Sequence, residues 1–254
     1  SSDTVQIFLR KFSRAGKQAS IKYIYIELFG GLRITADGAS LDESAFKTRK
    51  ISGIIKYLLL NKDVYISRET LAAVFWPDSE KKAALNSLRV ALCEIRKVLS
   101  GIGVSFEDTS PLITEEERGF IASKNCKTDA AVFVELFQKS KAGDTEGKKA
   151  ALLAMIDLYR DGLLPLDIYD DYTTMDREYF SALFFEAAHN AAALLIRDSD
   201  FKAAETLLLR IIKLDSYNEH AYKTLIRLYR QTGQSQLADT ISRQFEKRYE
   251  KEMC

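Results

Sequence analysis

The segment from Lys81 to Leu99 constrains the fold more than any other stretch, because its two sides require opposite surroundings. Apolar side chains recur along it every three or four residues, which places them in one stripe on a helix. The stripe consists of Leu85, Leu88, Leu92, Ile95 and Leu99. A stripe of this kind must be buried, so we predict a helix that other elements hold from one side.

The outer side of this predicted helix combines small residues with amide and guanidinium donors. Its members are Ala83, Asn86, Val90, Cys93 and Lys97, with Lys82, Arg89 and Arg96 along the edge. In the major groove of DNA, asparagine pairs with adenine, arginine pairs with guanine, and a small apolar group contacts the thymine methyl. An ordinary amphipathic helix with a solvated polar side explains the same pattern, so the neighbouring segments must decide between the two interpretations.

Length and composition bound the alternatives. The chain has 254 residues, of which 46% are hydrophobic and 29% charged, as in a soluble globular protein with room for two domains. A net charge of +1 excludes a protein that is basic over its whole surface, although it allows a local basic patch. No apolar run approaches the length of a membrane span and no signal-peptide pattern is present, so we expect a cytoplasmic protein without a membrane partner.

The sequence carries no recognisable catalytic or metal-binding constellation. Its three cysteines are odd in number and lie far from the two histidines, which favours free thiols over a disulfide or a zinc site. His189 and His220 fall in predicted helices without a nucleophile at a suitable spacing, and we interpret them as packing or surface residues. The Asp170-Asp171 pair is more typical of helix caps or solvated charges than of catalysis, and Gly30-Gly31 does not open a helix as a phosphate loop would. We therefore predict no enzyme activity, no cofactor and no metal.

The predicted elements around the central helix have a definite order. Residues 1–20 show no periodicity and are interpreted as a linker or the end of a preceding domain. Alternation from Ile21 onward, with a tight turn at Asp37-Gly38, predicts a small antiparallel sheet. Thr48 and Ser67 are suited to begin the next two helices, because their hydroxyls can accept the free N–H groups of a first turn. The helix Lys81 to Leu99 is then the third.

A β-hairpin is predicted after the third helix, where two apolar pairs flank the polar turn Glu115 to Gly119. Sheet, three helices and hairpin form the order of a winged helix-turn-helix domain, in which the third helix enters the major groove. Four short motifs add specificity. They are Thr48-x-Lys50, Ser67-Arg68-Glu69-x-Leu71, Trp76-Pro77-Asp78 and Asn86-Ser87-Leu88-Arg89. With these motifs, residues 21–125 resemble the OmpR-type winged helix of bacterial transcriptional activators.

The resemblance implies DNA-binding roles for particular residues and names the partners. It implies that the residues contacting the groove are Asn86, Arg89, Val90 and Lys97. The residues that it implies contact the phosphate backbone, near helix starts, are Arg49, Lys50 and Arg68. The basic Lys82, at the edge of the same outer face, completes the predicted DNA-binding set. The implied partner is double-stranded promoter DNA. In related activators the loop corresponding to Pro77 to Lys82 contacts RNA polymerase, which makes the polymerase a second expected partner.

Two features depart from the family pattern. Glu94 lies on or near the exposed side of the third helix, where related proteins often carry arginine. The predicted hairpin turn holds Glu115, Glu116 and Glu117, with Arg118 as its base. Carboxylates at these places repel phosphates, so we expect modest non-specific affinity and a need for dimerisation or a second protein.

From Asp129 onward the pattern is helical. A repeat of about 34 residues, the tetratricopeptide length, aligns Ala187 with Ala221 and Ala204 with Ala238. Small residues at such positions let stacked helices approach closely and share one core. Further landmarks are Tyr159-Arg160-Asp161-Gly162-Leu163-Leu164-Pro165, Arg177, Leu214-Asp215 and Asn218-Glu219. With them, roughly residues 129–252 resemble the bacterial transcriptional activator domain of antibiotic-regulatory activators, and we assign residues 126–254 to that domain.

The sequence therefore predicts a mainly α protein, with an N-terminal α+β winged helix-turn-helix domain and an all-α tetratricopeptide-like repeat domain. The predicted function is a sequence-specific DNA-binding bacterial transcription regulator whose repeats carry dimerisation, partner contact or signal reception. Regulators of this architecture include response regulators of two-component systems, so a homodimer and a receiver domain ahead of residue 1 are further expectations. The alternative is a helical-repeat interaction scaffold whose winged helix no longer binds DNA, which Glu94 and the acidic hairpin favour.

Overall fold

The computed structural model describes residues 24–61, 64–104, 113–116, 119–122, 126–142 and 144–252. The predicted linker at residues 1–20 and the first predicted strand residues, 21–23, lie outside this range. The chain divides into two compact units. The first contains the residues up to Glu135 together with Leu158–Phe180, and the second contains Leu136–Asp157 and Ser181–Cys254.

The first unit begins with a four-stranded sheet. Strands β1 (Ile24–Glu27), β2 (Arg33–Ala36) and β3 (Ala39–Asp42) are antiparallel, as predicted, and β2 lies between the other two. Asp37 and Gly38 connect β2 to β3 with positive φ angles of 47° and 87°, the backbone that a two-residue hairpin turn requires. The sequence did not predict the fourth strand, because β7 (Cys126–Thr128) pairs in parallel with β1 across about a hundred residues.

Three helices follow, and their starts agree with the predicted caps. Helix α1 (Arg49–Leu60) begins after Thr48, whose hydroxyl accepts the Ile51 N–H at 3.4 Å. Helix α2 (Arg68–Phe75) begins after Ser67, whose hydroxyl accepts the Thr70 N–H at 3.0 Å. Helix α3 (Lys81–Ser100) is the central helix of the prediction. It packs against both α1 and α2.

The predicted hairpin is confirmed and completes the winged helix. Strands β5 (Ile113–Glu116) and β6 (Gly119–Ala122) pair antiparallel, and β4 (Ile66–Ser67) adds to β6. Glu115 and Glu116 therefore belong to β5 and not to the turn, which is shorter than predicted. Glu117 and Arg118 lie outside the described residues.

The first unit also includes residues that the predicted boundary at 125/126 assigned elsewhere. The backbone from Gly162 to Leu164 binds the end of β1: Gly30 donates to the Gly162 carbonyl and Leu164 donates to the Leu28 carbonyl, both at 2.9 Å. The Phe29 ring packs against Phe133, Tyr159 and Phe180, with ring centroids 5.2 to 5.4 Å apart. The two compact units thus divide the chain differently from the predicted domains 21–125 and 126–254. The domain division stays a prediction.

The remaining helices are α4 (Asp129–Ala142), α5 (Thr145–Tyr159), α6 (Asp171–Arg197), α7 (Phe201–Leu214), α8 (Glu219–Gln231) and α9 (Ser235–Glu252). Ala187, Ala204, Ala221 and Ala238, which the repeat aligns, all have 0% exposure. Each therefore lies where neighbouring helices make close contact. The observed fold is a winged helix followed by an all-α helical repeat.

One finding revises the expectation that no segment has the length of a membrane span. By length and composition alone, the 27-residue helix α6 could cross a membrane. However, Phe184, Ala187, Ala188 and Ala191 of this helix are fully buried in the protein. The core helix of a soluble protein has the same composition, so the pattern of α6 is weak support for a span.

Candidate nucleic-acid interface

Helix α3 is held from one side, which leaves its other side at the surface. Its buried residues are Ala84, Leu88, Ala91, Leu92, Ile95 and Leu99. Two alanines thus extend the predicted leucine and isoleucine stripe, while Leu85 is half-buried. The five predicted outer residues, Ala83, Asn86, Val90, Cys93 and Lys97, are all exposed.

The middle of this outer face carries an apolar side chain between polar ones. Val90 is 66% exposed, and Asn86 and Arg89 are exposed one turn and one residue before it. Single exposed apolar residues are common on protein surfaces, so Val90 alone indicates nothing. Together with an amide and a guanidinium on the same face, it completes the side-chain types that read base edges in a major groove.

The start of α3 is suited to an anion. Glu80 occupies the N-cap position but its side chain makes no capping hydrogen bond. Lys81 and Lys82 follow, and both are exposed. The N–H groups of a first helical turn and two adjacent lysines together attract a phosphate group.

Glu94 does not stand as an isolated carboxylate on this helix. Its side chain lies 2.7 Å from the Lys47 Nζ and 3.0 Å from the Lys97 Nζ. Hydrogen bonds from Lys47 and Lys97 hold the pKa of Glu94 below its usual value, and Glu94 in turn raises the pKa of Lys97. Two cations therefore offset the predicted repulsion between Glu94 and phosphate. One of them, Lys97, is a predicted groove residue whose ammonium group is already bonded to Glu94.

The predicted backbone-contacting residues are placed at helix starts but have different surroundings. The Arg49 Nη2 donates to the Leu166 carbonyl at 2.6 Å and lies 3.7 Å from Asp170 and 3.9 Å from Asp167. This guanidinium is thus already bound to the loop that precedes α6. The Lys50 Nζ lies 5.6 Å from the ring centroid of Trp76, and Arg68 is half-buried at the start of α2.

Sequence reasoning missed Lys47 as a member of this site. It lies two residues before α1, whereas Glu94 belongs to α3, and no spacing in the sequence links them. One helix, α3, carries five of the predicted site residues and so brings them together. They are Lys82, Asn86, Arg89, Val90 and Lys97. Side chains of the hairpin residues lie outside the described part of the chain.

Comparison with known proteins relates the fold to that of a solved structure. No protein-family model and no curated protein matches the chain. The fold resembles that of EmbR. The solved structure of Mycobacterium tuberculosis EmbR in complex with a low-affinity phosphopeptide matches 88% of this chain with a TM-score of 0.69. The two are 19% identical, so the likeness establishes the fold, and this chain covers 59% of the length of EmbR.

Proposed function

We propose that this protein is a bacterial transcription regulator that binds double-stranded promoter DNA through the outer face of α3. The observation that carries the proposal is the exposure of Asn86, Arg89 and Val90 on a helix whose opposite side is packed against α1 and α2. EmbR, a transcriptional regulator with a similar fold, supports the class of function. The protein acts in the cytoplasm in this proposal.

Each outer residue has a distinct expected role. The Asn86 amide can both donate to and accept from adenine, the Arg89 guanidinium can donate twice to guanine, and Val90 contacts a thymine methyl. Lys82 and the first turn of α3 bind phosphate. Among the described residues, no carboxylate forms an ion pair with Arg89, so its guanidinium need not break an internal contact to reach a base.

Arg49, Lys50 and Arg68 form the proposed backbone-contacting set, with Lys97 as an additional contact near the groove. Of these, Arg49 would have to give up existing contacts to bind DNA, because its bonds to the loop before α6 compete with a phosphate. The exposed residues Pro77 to Lys82 remain the proposed contact for RNA polymerase. A homodimer or a receiver domain ahead of residue 1 would supply the additional affinity that a nearly neutral chain lacks.

The test is selection of DNA followed by titration. A random-sequence duplex library is enriched by binding to the full chain, and the selected duplex is titrated by fluorescence anisotropy at several salt concentrations. We expect Arg89→Ala and Asn86→Ala each to weaken the selected complex by about tenfold to a hundredfold, the loss of a bidentate base contact. The affinity of the unchanged chain should fall steeply as salt rises.

Arg230→Ala is the matched control, since Arg230 is an exposed arginine on α8 of the second unit. It should leave the affinity unchanged. If selection enriches no sequence and the weak binding is insensitive to Arg89→Ala, the interaction scaffold is the correct function.

A further inference from the structure

A cavity in the second unit has a chemical character of its own. It measures about 240 Å³, is partly open, and lies among α6, α7 and α8. One part of its wall is apolar and includes Ile196 and Leu208. The polar part of the wall is formed by His189, His220, Thr224, Arg227 and Gln231.

The two histidines of the chain meet at this cavity. Their Nδ1 atoms are 2.8 Å apart, and the ring planes cross at 82° with centroids separated by 4.3 Å. One neutral imidazole must donate its Nδ1 proton while the other accepts it, so the accepting ring carries its own proton on Nε2. The pair therefore offers one N–H donor beyond its internal bond. Burial, and then the proximity of His220, lower the pKa of His189 and favour its neutral form.

The charge of the lining favours an anion. Arg227 is exposed, and no carboxylate among the described residues forms an ion pair with it. The lining contains no acidic side chain. The nearby Asp215 already accepts the Tyr217 N–H at 3.0 Å and the Asn218 amide at 3.1 Å. No third His, Cys, Asp or Glu joins the histidines in a metal-ligand set within the described residues.

We propose that this cavity binds a small organic carboxylate. The Arg227 guanidinium holds the carboxylate oxygens through paired hydrogen bonds, and the apolar wall beside Ile196 and Leu208 takes the hydrocarbon part. The volume is below the roughly 300 to 1,000 Å³ of typical drug-sized sites, so the body is one ring or a short chain. This site is in the second unit and does not depend on the proposed DNA binding.

The two histidines make the test direct, because they give the only imidazole signals of an untagged chain. The full chain is titrated with phenylacetate while the imidazole Cε1–H resonances are followed by NMR. We expect saturable shifts of both resonances with a micromolar to millimolar dissociation constant. Phenylacetamide, which lacks the charge, and inorganic phosphate, which lacks the apolar body, should each bind at least about tenfold more weakly.

Arg227→Gln should weaken phenylacetate binding by about tenfold to a hundredfold, because it removes a charge-assisted hydrogen bond. Arg230→Gln, on the same helix but outside the cavity lining, should leave the affinity unchanged. Circular dichroism verifies that both variants are folded. The proposal is overturned if phenylacetate produces no saturable shift, if the amide or phosphate binds as tightly, or if the two variants have equal affinity.

Discussion

Lys56 and Asp167 form a buried ion pair, with the Lys56 Nζ 2.9 Å from Oδ1 and 2.7 Å from Oδ2 of the carboxylate. The side chains are 0% and 2% exposed. The same Nζ also donates to Glu43 at 2.6 Å. Lys56 belongs to α1 and Asp167 to the loop before α6, so this pair fixes the loop to a helix that supports α3.

We expect Lys56→Met to lower the free energy of unfolding of the first unit by about 3 to 5 kcal/mol, because Asp167 is left buried without its closest cation, with only the Arg49 guanidinium at 3.9 Å. The double variant Lys56→Met with Asp167→Leu should recover most of this loss, since neither charge then remains. Urea unfolding followed by the fluorescence of Trp76, the one tryptophan of the chain, measures the first unit.

The matched control is Lys149→Met, which breaks the partly exposed pair with Asp198 in the second unit. Its unfolding is followed by circular dichroism, because Trp76 reports on the first unit, and it should lower the free energy of unfolding much less than Lys56→Met does. Equal effects of the two single variants, or no recovery in the double variant, would show that the Lys56 pair does not stabilise the unit in the expected way.

Asp129 provides a second prediction, on pH dependence. Its carboxylate accepts the Leu28 N–H at 2.8 Å and the Phe29 N–H at 3.0 Å, yet burial dominates and raises its pKa to about 7. Between the unfolded pKa of about 4 and this value, the folded state binds more protons than the unfolded state. The contribution of Asp129 to stability is therefore complete below about pH 4 and is lost as the pH rises to about 7.

The measurement is urea unfolding of the unchanged chain and of Asp129→Asn from about pH 4 to about pH 8. As the pH rises within the window, we expect the free energy of unfolding of the unchanged chain, minus that of Asp129→Asn, to fall by up to about 1.4 kcal/mol for each pH unit. A difference that stays constant across this range would mean that Asp129 is ionised throughout, its backbone donors outweighing burial.

These two contacts show where sequence reasoning reaches its limit. The helix α3, the caps Thr48 and Ser67 and the Asp37-Gly38 turn are local features, since each is specified by residues a few positions apart. The pair of Lys56 with Asp167 joins residues 111 positions apart, and Asp129 reaches back 101 positions to Leu28. No spacing rule predicts such contacts, which is why residues 158–180 were not expected in the first unit.

The candidate interface was likewise only partly predictable from the sequence. The period of a helix places Asn86, Arg89 and Val90 on one exposed face, so their sequence positions were sufficient. The charge environment of that face was not predictable. Lys47 precedes α1, yet it forms an ion pair with Glu94 of α3. Arg49 bonds to a loop more than a hundred positions away in the sequence.

Removing the Glu94 carboxylate tests this charge environment. Glu94→Gln releases Lys47 and Lys97 from their ion pairs, so both can contact phosphates. If α3 binds DNA as proposed, we expect tighter binding to a random-sequence duplex. The plot of log affinity against log salt should also become steeper by up to about 1.8, which corresponds to two more neutralised phosphates.

Glu186→Gln is the control, because Glu186 pairs with Lys141 in the second unit. It should change neither the affinity nor the salt dependence. An unchanged slope in Glu94→Gln would place Lys47 and Lys97 away from the phosphates.

Cys93 offers a probe of the same face that does not alter any proposed contact. It is an exposed free thiol on α3, three residues beyond Val90. In a chain with Cys126→Ser and Cys254→Ser, a maleimide reagent reacts with Cys93 alone. A duplex lying against the outer face should block the reagent. At a duplex concentration about 100 times Kd, roughly one protein in a hundred is free, so the reaction should slow by up to about a hundredfold.

The control moves the thiol to the second unit by adding Arg230→Cys and Cys93→Ser to the same background. Its reaction rate should be the same with and without the selected duplex, because α8 is not part of the proposed interface. Undiminished reactivity of Cys93 in a saturated complex would mean that DNA binds elsewhere, since a helix inserted in a major groove leaves no space for a reagent on its outer face.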